Sequence, residues 1–318
     1  HLLDCLTLQS LTDIEIICYD DASTDNSFKI VEEYSKKDPR ITAIKSEKDI
    51  HFGSSLVRNV YLEDANGEYI SFINQTDLVD LTLFEVLFCK AIETQADIVK
   101  GNYVEVSNKG STLIKSGPIE DNPLYFVQGL ESAIYRKDFL KENTIGFNEN
   151  AERGNEHSFL FDACSVCEEI SLVTESNYYV MKDNKKPSES SIEELIYNIS
   201  YILNRVEQRE IYEIDEKLYT YLYTYYFDLA MNELENATDF DDKVSLCEFL
   251  FGVYQESKCK DTILSNLNRI NAPIARYLPD NNINLFIELV AGKAHSDVFY
   301  LEANKEIINP IKAEIIVP

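Results

Sequence analysis

The strongest chemical signal in the chain lies near its start, in Asp13-Ile14-Glu15-Ile16-Ile17-Cys18-Tyr19-Asp20-Asp21-Ala22-Ser23-Thr24-Asp25-Asn26-Ser27. A β-rich run ends in paired aspartates, passes through a turn of small residues and meets a helix cap. Carboxylates placed there can accept hydrogen bonds from the hydroxyls of a sugar or the edge of a base. Alone, paired Asp after a strand reads equally well as a solvated turn. Other segments fall into line with it: Gly53 with Arg58-Asn59, then Ala65-Asn66-Gly67-Glu68-Tyr69-Ile70-Ser71-Phe72. Ile134-Tyr135-Arg136-Lys137-Asp138-Phe139-Leu140 follows, with Ile145-Gly146-Phe147-Asn148-Glu149 and Gly154-Asn155-Glu156-His157-Ser158-Phe159.

The elements that must position these residues alternate between strand and helix. Strands are expected at 14–19, 41–44, 69–73 and 97–106, with helices at 27–37, 54–64 and 81–95. Alternation at this spacing implies an α/β fold, a mostly parallel sheet with helices on both faces. Ligands of such sheets sit at the carboxyl ends of the strands. That rule places Asp20-Asp21 and Asn74-Gln75-Thr76-Asp77 on one rim.

Taken in order, the segments resemble the family-2 glycosyltransferases of the GT-A fold. The family pattern reads DIEIIxVDDGSTDxS, GxxxARN, GEYIxFLDSDD, LYRxxFL and GEDxxF, and the resemblance covers residues 1–186. It implies inverting transfer of a sugar from a nucleotide-sugar donor, usually a UDP-sugar, to an acceptor hydroxyl. Asp20 and Asp21 match the VDD pair, with Asp21 on the uracil or ribose, and Asp25 matches the Asp of GSTD. Arg58 falls on the ARN arginine and would meet the donor phosphates, because its planar fork binds phosphate oxygens bidentately. Glu156 takes the place of the acid that serves as general base on the acceptor.

Three departures stand out. The DxD carboxylates that hold Mn²⁺ or Mg²⁺ against the diphosphate are replaced by Asn74-Gln75-Thr76. Asn74 and Thr76 then remain as donor contacts, and Asp77 as the one metal ligand. A hard cation wants anionic oxygen ligands. Three possibilities follow: the diphosphate and Asp77 hold the metal, Arg58 meets the leaving-group charge, or the site is dead. Second, the family's first strand, ending in a PVYN-like segment, is absent before His1, so the chain is expected to be a piece of a longer polypeptide. Third, Asn155 replaces the Glu of GED. A catalytically degenerate module of the same fold, acting as a binding or oligomerisation partner, is the alternative to an active transferase.

Polar residues 185–191 mark the expected boundary between a GT-A domain at 1–186 and an all-α add-on at 187–318. Helices are expected at 191–210, 214–235 and 241–258 from apolar residues such as Ile192, Leu195, Ile196, Ile199 and Ile202. Tyr219, Tyr223 and Tyr226 share a helical face, which reads as a packed core or as an interface for self-association or acceptor binding. Related enzymes with helical add-ons suggest a homo-oligomer formed through this domain, and a glycan or glycoprotein as acceptor. The 318 residues carry a net charge of −27, which excludes a general grip on nucleic acid polymers. No stretch is long and apolar enough for a membrane span. Seven scattered cysteines fit a reducing cytoplasm, with peripheral placement at the inner face of the membrane. Cys164 and Cys167 read as packing residues, and His51 and His157 as supporting residues near the site.

Overall fold

A computed structural model describes residues 1–46, 53–107, 110–114, 129–149, 155–167, 170–181, 192–266 and 283–286. The chain divides into two compact units, His1–Glu189 and Ser190–Pro318. The polar stretch at 185–191, His51 and Gly154 lie outside the described residues.

In the first unit, helix α1 (Leu2–Thr7) precedes strand β1 (Ile16–Asp20), helix α2 (Ser27–Ser35) and strand β2 (Ile41–Lys45). β1 and β2 pair in parallel, as a strand–helix–strand crossover requires. Helix α3 (Gly53–Asp64), the short strands β3 (Tyr69–Ile70) and β4 (Leu78–Val79) and helix α4 (Leu83–Thr94) lead into the long strand β5 (Ile98–Ser107). Strands β6 (Gly110–Ile114) and β7 (Ala133–Arg136), helices α5 (Lys137–Glu142) and α6 (Asn155–Val166) and strand β8 (Ile170–Met181) complete the unit.

The larger sheet runs β3-β7-β5-β8-β4, with β6 on β5. It is mixed rather than mostly parallel: only β5 and β8 pair in parallel, and its other four pairings are antiparallel. For one of these pairings the physical reason is connection length. Only two positions separate β5 from β6, which leaves room for a hairpin and accounts for that one antiparallel pairing.

α4 shows why the sequence folds here as it does. Leu83, Leu87 and Ala91 recur every four residues and are fully buried, so one stripe faces the sheet. Burying each leucine contributes about 1.5–3 kcal/mol. Ile16 and Ile41 of the small sheet share this core with Val99, Val173 and Tyr178 of the large one.

The expected strand at 69–73 forms only at Tyr69–Ile70. Beyond it the backbone ladder stops, and Ser71 Oγ donates to the Ala133 carbonyl of β7 at 2.9 Å. This frees 71–77 to act as a loop.

The second unit is helical: α7 (Ile192–Gln208), α8 (Ile211–Ile214), α9 (Glu216–Asn236), α10 (Phe240–Glu256) and α11 (Lys260–Asn266). Ile199, Ile202, Leu203 and Val206 form the buried stripe of α7. Asp215 caps α9 through the Leu218 N–H, and Asp239 caps α10 through those of Asp241 and Asp242. Tyr219, Tyr223 and Tyr226 are buried inside this unit. The Glu207 carboxylate accepts from Tyr219 and Tyr223, each at 2.8 Å. That face is therefore core and supplies no exposed interface: its three rings are buried, two of its hydroxyls bond to Glu207, and the Tyr226 hydroxyl is buried with no hydrogen-bond partner among the described residues. No helix among the described residues is long and apolar enough to cross a membrane.

Candidate functional site

Two amide clamps bring distant segments together. On α3, Asn59 Nδ2 donates to the Phe147 carbonyl at 3.0 Å, and Asn59 Oδ1 accepts from the Phe147 N–H at 2.7 Å. The same amide reaches Glu149 at 2.8 Å. A side chain on Gly146 would come within 3.0 Å of Asn59 Oδ1, so Asn59 would have to shift by a few tenths of an ångström to admit it. The second clamp joins Asn66, through its N–H and its amide, to the Glu15 carboxylate at 2.9 and 3.0 Å.

The clamped loop sets Phe147 against Phe159 of α6, stacked at 4.5 Å, with Phe72 edge-on at 4.9 Å from Phe147. Arg58 lies over the Phe147 ring at 5.0 Å. Its Nη1 donates to Glu156 Oε1 at 2.9 Å and to Asn155 Oδ1 at 3.2 Å. Asn155 is fully buried and also donates to Ser55 Oγ. Among the described residues, Glu156 Oε2 and Arg58 Nη2 make no hydrogen bond, and the Glu156 side chain is 33% exposed. The pair thus keeps one acceptor and one donor edge for a ligand.

A second cluster lies around the loop 71–77. The Asn74 N–H donates to the Tyr178 hydroxyl at 3.2 Å, and that hydroxyl donates to Asp77 Oδ2 at 2.9 Å. The Met181 N–H donates to Asp77 Oδ1 at 2.9 Å. Thr76 and Gln75 are exposed. The Asn74 side chain donates to Glu131 Oε1 at 2.8 Å. Burial raises the Glu131 carboxyl above the usual range, and the charges of Glu156 and Asp77 add to the shift. Burial likewise lowers His157 below the usual imidazole value.

The turn after β1 is a third feature. Asp20 is buried and accepts the Ser23 N–H at 2.9 Å, while Asp25 accepts the Ser27 N–H at 2.8 Å. Hydrogen bonding from the Ser27 side chain, and then from its backbone N–H, holds the exposed Asp25 carboxyl below its ordinary value. Asp21 is exposed on the same turn. Ala22 between them adopts φ 58°, a left-handed conformation that favours glycine. The structure thus brings Arg58 to Glu156, and Asn74 to Asp77 by way of Tyr178. Asp20 and Asp25 bond within their own turn, and among the described residues neither bonds to Arg58 or Glu156.

A family profile described as Glycosyl transferase family 2 matches residues 1–166. The chain belongs to glycosyl transferase family 2. It is 29% identical over 188 residues to the poly(ribitol-phosphate) beta-glucosyltransferase of Bacillus spizizenii, covering 56% of this chain and 29% of that protein. It is 39% identical over 101 residues to the glycosyltransferase GlyA of Streptococcus pneumoniae, covering 32% of this chain and 14% of that protein. The chain therefore spans less than a third of either relative. The crystal structure of S. aureus TarS 1-349 in complex with UDP-GlcNAc is similar in fold, with a TM-score of 0.73 at 19% identity. That likeness covers 93% of this chain and 87% of TarS 1-349. The fold is GT-A, an α/β unit followed by helices.

The family's usual divalent cation finds a poor match in this member. Asp77 is 2% exposed, and both of its oxygens accept hydrogen bonds from β8. Asn74 turns its amide N–H toward Glu131, a donor where a metal needs an acceptor. Among the described residues no three His, Cys, Asp or Glu side chains converge as metal ligands. Among the described residues, these side chains do not fit a resident Mn²⁺ or Mg²⁺.

Glu131, Tyr178 and Phe147 take part in these contacts, and no motif spacing in this family-2 chain marks them as site residues. Glu131 lies just upstream of the Tyr135-Arg136 motif, but its partner Asn74 is 57 residues away, and no spacing rule links them.

Proposed function

We propose that this chain transfers a sugar from a UDP-sugar donor to a hydroxyl of a glycan or glycoprotein acceptor, with inversion at the anomeric carbon. The observation that carries this reading is the Arg58–Glu156 pair, which among the described residues leaves one edge of each side chain without a hydrogen bond, in a member of a glycosyltransferase family. Structures of the fold relative TarS in complex with UDP and with UDP-GlcNAc support the choice of donor.

Glu156 takes the proton of the acceptor hydroxyl. The oxygen then attacks the anomeric carbon from the face opposite the leaving group. The bond between that carbon and the phosphate oxygen breaks, and its electron pair leaves with UDP. A single displacement of this kind inverts the centre. Arg58 Nη2 meets the diphosphate charge, as a guanidinium suits phosphate oxygens. As the diphosphate draws the guanidinium, the Glu156 carboxylate is released to act as base. Asp20, Asp21 and Asp25 bind the nucleoside end of the donor, and Asn74 and Thr76 its diphosphate end.

A catalytically silent module of the same fold is the second reading, favoured by the use of Asp77 in bonds to β8. Residence in the cytoplasm, peripheral to the inner face of a membrane, belongs to the proposal. So does self-association through faces of the helical unit other than the buried tyrosines. The test is transfer or donor hydrolysis with a panel of UDP-sugars, alongside UDP binding by calorimetry. UDP binding with turnover supports the transferase; UDP binding without turnover favours the silent module.

A further inference from the structure

We propose that the cleft beside Asn74 receives the sugar being transferred, and that Glu131 selects there for a neutral sugar over a uronic acid. This rests on the donor reading above.

The cleft has a volume of about 160 Å³ and is lined by Tyr103, Glu105, Gly129, Glu131, Ser132 and Tyr178 among others. Pockets that bury a drug-sized ligand measure about 300–1,000 Å³. This one is too small for a whole nucleotide sugar and suits one ring. Its position is fixed by two bonds to the loop 71–77: Asn74 donates to Glu131, and the Asn74 N–H donates to Tyr178. A group held by that loop at its phosphate would therefore place its next moiety in the cleft.

The lining matches a sugar. Tyr103 and Tyr178 supply ring surface for C–H faces. Burial pushes the Tyr103 hydroxyl up to about 12, so it stays a donor near neutral pH. Gly129 sits at φ 77°, and a side chain there would lie 3.0 Å from Ser132 Oγ and 3.4 Å from the Tyr103 ring. The absence of a side chain keeps the wall open.

The charge of the lining sets the choice. Glu131 accepts from Asn74 through Oε1, and it feels the charges of Glu156 and Asp77. Glu105 lines the same cleft. Carboxylates accept from sugar hydroxyls but repel a sugar that carries its own carboxylate; among the described lining residues none is Lys or Arg, and the buried Lys100, which feels the Glu131 charge, is not one of them.

The experiment compares UDP, UDP-glucose and UDP-glucuronate binding by calorimetry on the 318-residue chain, its E131Q variant and its E105Q variant. Glu131→Gln keeps the size of the side chain and an oxygen for Asn74. The unmodified chain should bind UDP-glucose at least about tenfold more tightly than UDP-glucuronate, as like-charge contact predicts. E131Q should narrow that ratio to about threefold or less, with E105Q changing it in the same direction. UDP affinity, which involves no sugar, serves as the reference for folding. An unchanged ratio in both variants, or a preference for UDP-glucuronate in the unmodified chain, overturns the inference and leaves the donor reading standing. Failure of UDP itself to bind overturns both.

Discussion

Arg58 and Glu156, 98 residues apart in the chain, meet at 2.9 Å on the ring face of Phe147. The cation expected to hold phosphate and the carboxylate expected to take a proton are thus each other's partners. Their side chains are 19% and 33% exposed, so the pair is neither deeply desolvated nor fully screened. A diphosphate competes with Glu156 for the guanidinium, which couples donor binding to release of the base.

That coupling predicts a particular cost for replacing Arg58. Arg58→Lys keeps the charge but loses the planar fork over Phe147, which binds phosphate oxygens two at a time. UDP affinity should fall by about tenfold to a hundredfold, the range for a lost charge-assisted hydrogen bond. Calorimetric titration reads this, and an unchanged affinity would remove Arg58 from the donor site.

The turn after β1 makes a prediction about stability. Ala22 holds φ 58° where the family pattern carries Gly. Left-handed backbone costs a non-glycine residue about 1–2 kcal/mol. Ala22→Gly relieves that strain while loosening the unfolded chain, for a net gain of up to about 1 kcal/mol. Chemical denaturation measures it, and a loss of stability would show that the turn is not strained.

Asp77 gives the opposite sign. Its oxygens tie the loop 71–77 to β8 through Tyr178 and Met181. Asp77→Asn puts an amide donor against one of those donors, so it should cost about 1–3 kcal/mol. UDP affinity of the unmodified chain should be the same with EDTA as with Mn²⁺. A UDP affinity that rises tenfold or more with Mn²⁺ would restore Asp77 as a metal ligand.

Much of this scaffold can be read from the sequence, because local patterns set it. Leu83, Leu87 and Ala91 announce α4, and the apolar spacing of 192–203 announces α7. The motif residues bring their partners with them: Glu15 meets Asn66, Arg58 meets Glu156, and Arg136 forks onto Asp97 at 2.9 and 2.5 Å. Strand direction was harder to read. Strand–helix spacing implies a mostly parallel sheet, while β6, β7, β3 and β4 each pair antiparallel and only β5 and β8 run parallel. The tyrosines of α9 show a second limit. Periodicity places three on one face but cannot tell whether Glu207, twelve residues before Tyr219, waits there to accept their hydroxyls. Glu131 shows a third, since its role comes entirely from a contact 57 residues away.

The most direct test of the account is sugar transfer by Glu156→Gln beside the unmodified chain, with UDP binding measured on both. Gln keeps a side chain for Arg58 to meet but cannot take the acceptor proton. Transfer should fall by about 10²–10⁴-fold, the usual contribution of a positioned base, while UDP affinity holds or rises, because a neutral Gln competes less for the Arg58 guanidinium. Transfer at the unmodified rate by the variant, or no UDP binding by the unmodified chain, would contradict it.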